Sequence, residues 1–456
     1  MQNLLDMKSW NNYISVAILL ILLGCDDFVE VDQPHTELVR ASVFEEPGTA
    51  EAAVVELYRS IWQGFAGGNQ SSLTALTGLS SDELDLFISN KEYQAFNENE
   101  VLPNNLEIAS LWTDFYRTIY QANAIIEGLA TSNIHPALSQ QLRAEALFIR
   151  AYAYFIMVNI WGEVPLVTGT DYLVNTALVR VPVDEVYDLV IQDLRECQAS
   201  LPEGYLGDRV RANQSAATAL LARVYLYLED WNNAEIEASK VIDSDLYALE
   251  PEPNLVFRTS SREAILQLWH SSYPREYVTF RISAALGGPI FASLTPTFIQ
   301  TFSADDLRYI DWVAKVDVSG TEYFGVWKYK SNDRPPIDYS TVLRLAEQYL
   351  IRAEARVQQD KLAEAVSDLN IIRARAGLPD LLVGEKSELL EAIYLERKHE
   401  LFAEQGHRWL DLKRTGRVDE VMSPLRPSWG SEDSLYPIPE SQIISNPEII
   451  QNPVGS

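Results

Sequence analysis

Residues 222–241, Ala-Arg-Val-Tyr-Leu-Tyr-Leu-Glu-Asp-Trp-Asn-Asn-Ala-Glu-Ile-Glu-Ala-Ser-Lys-Val, return in outline 131 residues further along the chain. Ala222, Tyr225, Leu228, Trp231, Ala234, Ala238 and Val241 superpose on Ala353, Arg356, Gln359, Leu362, Ala365, Leu369 and Ile372. Recurrence every three or four residues is the period of an amphipathic helix. Glu229-Asp230 and Gln359-Asp360 interrupt it once in each copy. Small side chains at Ala234 and Ala365 let two helices approach closely. Each copy is therefore a helix–turn–helix unit of tetratricopeptide type, which buries its apolar face only by stacking on others.

Working outward, the same period predicts helices from Pro47 to the Gly-rich stretch 64–69, over 106–129 and 136–160, and from about Asp184. The polar stretch 80–105 and the Tyr/Pro/Gly-rich stretch 271–296 lack a sustained period and read as long loops. Alternation over 264–269 and 321–330 predicts short strands. The fold class is mostly α: a tetratricopeptide-like scaffold of helical hairpins with long loops and a few short strands. Its N-terminal part is placed at 44–245 and its C-terminal part at 246–456, the two intimately packed as one unit.

The chain opens differently. Ile14 to Leu23 is apolar apart from Ser15, stops at Gly24-Cys25, and is followed by two acids. Ten residues rise only ~15 Å as a helix, short of a ~30 Å hydrocarbon core but right for the apolar region of an export signal. Leu-Leu-Gly-Cys resembles the bacterial lipobox, whose cysteine is acylated and becomes the new N-terminus. The expected order is a signal peptide at 1–24, an acylated N-terminus and tether at 25–43, and anchoring in lipid through Cys25. Met7-Lys8 is an alternative start.

The chain carries 65 acids against 36 bases, a formal charge of −29. Such an excess repels phosphate backbones, so nucleic acid is excluded as a partner. With Cys25 lipidated, Cys197 has no disulfide partner; it shares a helical face with Val186, Leu189, Val190 and Leu194 and reads as a buried structural thiol. The histidines (35, 135, 270, 399, 407) make no metal-ligand pattern. His399-Glu400 opens like a zinc-protease helix, but Ala403 stands where the second histidine belongs. No nucleophile elbow, P-loop or dinucleotide fingerprint occurs. No catalytic residue, metal or cofactor is expected, and the chain reads as a non-enzyme.

Four stretches resemble the SusD/RagB family of outer-membrane, nutrient-binding lipoproteins of Bacteroidetes. They are Arg143-Ala-Glu-Ala-Leu-Phe-Ile-Arg-Ala-Tyr-Ala-Tyr-Phe, running on to Trp161-Gly-Glu-Val-Pro-Leu-Val; Leu343-Arg-Leu-Ala-Glu-Gln-Tyr-Leu-Ile-Arg-Ala-Glu-Ala; Glu396-Arg-Lys-His-Glu-Leu-Phe-Ala-Glu-Gln-Gly-His-Arg-Trp-Leu-Asp-Leu; and Tyr436-Pro-Ile-Pro. The resemblance implies a cell-surface lipoprotein that captures an oligosaccharide and delivers it to a SusC-like TonB-dependent transporter. A peptide ligand, or an adaptor role without any small-molecule ligand, are the alternatives. It also implies a buried ion-pair network joining the repeat helices, in which Glu347, Arg352, Glu396 and Arg397 take part. The family's ligand residues vary with substrate, so none transfers.

Candidate ligand residues come from chemistry instead. A sugar ring offers an apolar C–H face and a rim of hydroxyls, suited to a flat aromatic flanked by polar groups. Long loops on a rigid frame are where such groups sit. Tyr93 and Phe96 occupy one loop; Tyr273, Arg275 and Tyr277 the other; Trp429, between Pro427 and Gly430, is a third candidate.

Overall fold

A proline at its first position and a stop at Gly64 bracket helix α1 (Pro47–Gln63), which buries Ala50, Val54, Leu57, Tyr58 and Ile61 on the one face that a 3.6-residue period selects. The computed structural model describes residues 43–205, 207–331 and 333–453; the expected signal peptide, Cys25 and the expected tether up to residue 42 lie outside them. After α1 come α2 (Leu73–Ser80), α3 (Lys91–Glu98), α4 (Leu106–Ala130), α5 (Pro136–Trp161) and α6 (Val183–Ser200). From Ala144 to Trp161 nearly every side chain of α5 is buried, because α1, α4 and α6 all pack against it. Cys197 on α6 is fully buried, its thiol donating to the Ala144 carbonyl at 3.1 Å. No helix among the described residues is long and apolar enough to cross a membrane.

Helix α3 corrects the expectation of a loop over 80–105. Asn90 caps it by accepting from the Glu92 amide, and Asn99 closes it with φ +59°, a left-handed position that Asn tolerates. Two turns are too short to establish a period in so polar a stretch.

The repeated units form α7 (Gln214–Tyr227) with α8 (Trp231–Ile242) and, after the short helix α9 (Arg275–Thr279), α10 (Leu345–Gln358) with α11 (Leu362–Arg375). Their turns match in detail: Glu229 and Asp360 both have positive φ, +56° and +61°. α8 packs on α10, so the two hairpins stack, with Ala234 and Ala365 sealed at 0 % and 1 % exposure. Ion pairs stitch the stack. Arg223 of α7 meets Glu347 of α10 at 2.6 Å, Arg352 meets Asp368 at 2.8 Å, and Arg356 bridges Glu235 and Asp368. The pairs run between helices rather than along one.

Helices α12 (Lys386–Leu401) and α13 (His407–Arg414) complete the frame. Arg397 of α12 grips Asp411 of α13 at 2.8 Å. His399 is buried, stacked on Phe302 at 4.1 Å, which is a packing role. Beside it lies the densest ionic node. Arg344 contacts Glu263, Glu400 and Glu404; Arg308 contacts Asp306, Glu396 and Glu400; Arg375 contacts Glu263 and Glu400; Lys328 contacts Glu404. Burial alone would raise the Glu400 pKa, yet Arg375, Arg344 and Arg308 together hold it well below the usual carboxylate range.

The strands of three residues or more are β1 (Leu84–Leu86), β2 (Ala264–Leu268), β3 (Ala292–Leu294), β4 (Val313–Val318), β5 (Thr321–Val326) and β6 (Ser340–Arg344); β2 and β5 stand where alternation predicts them, and the other four are further pieces. They pair antiparallel as β1–β3, β2–β6 and β4–β5. The first pairing sets Leu84 opposite Leu294 and so draws together two segments some 200 residues apart in sequence. Tyr436-Pro-Ile-Pro is strapped down: the Tyr436 amide donates to the Ile160 carbonyl, the Trp161 indole to the Pro437 carbonyl, and the Tyr436 and Ser80 hydroxyls lie 2.8 Å apart.

Candidate functional site

Where α1 stops, the chain turns through residues 64–69. Asn69 fixes the turn, its amide nitrogen donating to the Gly64 carbonyl at 3.1 Å and its oxygen accepting from the Ser71 amide at 2.8 Å. Gly68 has φ +66°, and a Cβ there would stand 2.1 Å from Glu276 Cγ. Only a residue without a side chain lets α9 settle onto this turn.

α9 is then pinned from both ends of its first two residues. The Arg275 guanidinium lies 4.4 Å from the centre of the Trp62 ring and donates to the Gln63 carbonyl at 2.8 Å. The Glu276 carboxyl points inward and accepts from the Ser340 hydroxyl at 2.9 Å; burial pushes its pKa up to about 7. Trp62 also stacks on His270 at 5.3 Å, and His270 meets Tyr339 edge-on. Burial, with Arg275 adding to it, lowers the His270 pKa to about 4, so this imidazole is neutral near pH 7.

The β1–β3 pairing delivers α3 to the same place. Tyr93 packs edge-on against Phe291, next to β3, at 5.1 Å, and its hydroxyl lies 3.3 Å from Ser71 Oγ. The result is an open cavity of about 710 Å³ walled by Trp62, Tyr93 and Tyr273, with Arg275, Asn69, Ser71, Ser110, Asp114 and Ser272 among its polar lining. Asp114 is already paired with Arg117 at 2.9 Å. Aromatic faces beside hydroxyl, amide and guanidinium groups are the equipment for holding a polyhydroxylated ring.

Three of the sequence candidates, Tyr93, Tyr273 and Arg275, meet here. The other three do not. Phe96 is fully buried, edge-on to Tyr436, because helical geometry turns its face of α3 into the core; it is no ligand contact. Tyr277 stands behind Tyr273, at 6.4 Å, and leans on Trp327. Trp429 sits on Trp409, its indole donating to Asp419 at 2.8 Å, and does not line the cavity. Sequence reasoning missed Trp62. Its signal was an aromatic two residues before a Gly-rich helix stop, a place where a ring reaches the edge of the core.

Two other concavities fit less well. A cleft of about 670 Å³ near Gln198, Gln214 and Lys240 has no aromatic wall. One of about 420 Å³ is lined by Trp112, Tyr116, Tyr120 and Tyr172, but two of its three amides are spent on backbone carbonyls, Asn175 on Gly169 and Asn446 on Leu178, and no charged side chain among the described residues lines it.

A family model described as starch-binding and associating with the outer membrane matches residues 44–226, and a second, described as the SusD family, matches residues 324–454. SusD-like protein P38 of Formosa agariphila is 24 % identical over 98 % of this chain and 99 % of its own length. Among solved structures, a SusD superfamily protein from Bacteroides vulgatus superposes with a TM-score of 0.79 at 20 % identity, over 90 % of this chain and 99 % of the other. Surface glycan-binding protein A of Bacteroides thetaiotaomicron, in complex with laminarihexaose, gives 0.75 at 19 % identity, over 88 % and 98 %.

Proposed function

The chain belongs to the SusD/RagB family, whose members are associated with the outer membrane, and from that premise we propose that it is a glycan-binding protein, not an enzyme, which captures an oligosaccharide in the cavity between α1, α3 and α9. The observation that carries this reading is the convergence of Trp62, Tyr93 and Tyr273 on one polar-lined space. Stacking holds a sugar face without regard to its hydroxyl pattern, and the hydroxyl and amide groups around the rim then select among sugars. The relative crystallised with laminarihexaose supports an oligosaccharide over a peptide as the class of ligand. Delivery to a SusC-like TonB-dependent transporter and anchoring through an acylated Cys25 complete the proposal.

The test is calorimetric titration with a panel of oligosaccharides and with protein digests. Tyr273→Ala is expected to weaken the bound glycan by over ~1 kcal/mol, about fivefold, the low end of a stacking contribution by analogy with aromatic pairs. Tyr277→Ala, one ring further out, should lose less. Unchanged affinity in Tyr273→Ala moves the site elsewhere, and heat only from digests replaces glycan by peptide. For the anchor, Cys25→Ser should give a form that leaves the membrane fraction without detergent.

A further inference from the structure

The charges around this cavity run against those of the whole chain. The protein carries −29 overall, yet the one carboxylate that lines the cavity, Asp114, is paired with Arg117, and Glu107, behind the wall, is engaged by the Tyr93 hydroxyl. Arg275 has no carboxylate within ion-pair distance among the described residues; its hydrogen bond goes to the uncharged Gln63 carbonyl. Its neighbour Glu276 is turned away onto Ser340 and closed off from the cavity by burial. Six residues on, Arg281 also lacks a carboxylate partner among the described residues and lies 5.9 Å from the ring centre of Tyr277, which touches the cavity wall at Tyr273. The fully buried Arg223, Arg308 and Arg344 each meet at least one carboxylate within 3 Å, whereas the half-buried Arg180 and Arg209 end on carbonyl oxygens of the protein; Arg275 differs from these two in facing an open, aromatic-walled cavity. An arginine that is half desolvated, laid on an indole and left without an anion is poised to accept one, and its planar fork matches a carboxylate or a sulfate.

Resting on the cavity reading above, we infer that the ligand is an anionic glycan, whose uronic-acid carboxylate or sulfate ester pairs with Arg275, held in place by Trp62, while a neighbouring ring stacks on Tyr273. Arg281, next to Tyr277 and one ring further from the cavity, adds a second positive charge nearby. The attraction has to be local. At 0.15 M salt the Debye length is about 8 Å, so the distant carboxylates that give the chain its net charge are screened at the site.

The experiment titrates the full chain, at that salt, with oligosaccharides in matched pairs: uronic-acid oligomers against their methyl esters, and sulfated oligomers against their desulfated forms. At least one charged member should bind ten-fold or more tighter than its neutral mate. The pair that shows the preference tells carboxylate from sulfate. Arg275→Gln should shrink the ratio below about three-fold, with Arg275→Lys restoring part of it. Arg281→Gln, which removes no hydrogen bond of the described structure, should lower the ratio without disturbing the fold and so stands in if Arg275→Gln unfolds. Equal binding of charged and neutral mates, or no binding of any charged member, overturns the inference. Neither outcome touches the cavity reading, which is judged separately by Tyr273→Ala on whichever glycan binds.

Discussion

Glu276 shows how one residue serves both the frame and the site. Its carboxyl fills the space that Gly68 leaves open and is held near a pKa of about 7 by burial. A carboxyl with a raised native pKa binds more protons folded than unfolded between about pH 4.5 and 7, so stability falls as pH rises through that window and levels off above it. Glu276→Gln should remove this decline, which is worth about 3 kcal/mol at most. Thermal unfolding of both forms at pH 5 and pH 8 checks it: the wild type should lose more between the two pH values than the variant. Glu83, buried and raised to about 8, pulls in the same direction, while the buried His270, lowered to about 4, pulls the other way because its unfolded imidazole binds the extra proton; both are common to the two forms and drop out of the comparison. Trp62 is the residue-scale counterpart on the ligand side. It carries both His270 and Arg275 against its ring, so an aromatic replacement there preserves the platform and a small one dismantles it.

At the scale of elements, the repeated hairpins rest on small side chains. Ala234→Trp or Ala365→Trp forces bulk into crossings with no room and should cost roughly 1–3 kcal/mol, read as a shift in denaturant midpoint at unchanged slope. An unmoved midpoint in both would place these alanines off the crossing. The hairpins were legible because their signal is periodic and occurs twice: the 131-residue offset carries even the positive-φ turn residues Glu229 and Asp360. The helices over 106–130 and 136–161 were legible from their sustained period and length alone. Helix α3 was not, since eight residues with Asn at each end carry capping chemistry but little period. The site was half legible. Chemistry picked out Tyr93, Tyr273 and Arg275, but the β1–β3 pairing that assembles them is three residues long on each side, and no local pattern announces a partner some 200 positions away. The same gap hid the inward turn of Phe96 and the place of Trp62.

Across the molecule, buried ionic clamps run through the apolar core. The node around Arg344 gathers four cations and five carboxylates from distant parts of the chain. Removing one member leaves buried charge unanswered, so Arg344→Met should cost about 3–5 kcal/mol, whereas breaking the exposed Lys315–Glu322 pair should leave the denaturant midpoint in place. Parallel urea titrations settle the contrast. Cys197 offers a way to watch all of this without denaturant. In a soluble form lacking Cys25 it is the sole sulfhydryl of the chain, and it is shut between α5 and α6. A small thiol reagent must wait for those helices to part, so the labelling rate under native conditions reports the free energy of that opening. If the opening also releases the cavity, a bound glycan slows the reaction by a factor of 1 + [L]/Kd. The protein then carries its own stopwatch for ligands that have no colour, charge or fluorescence to report.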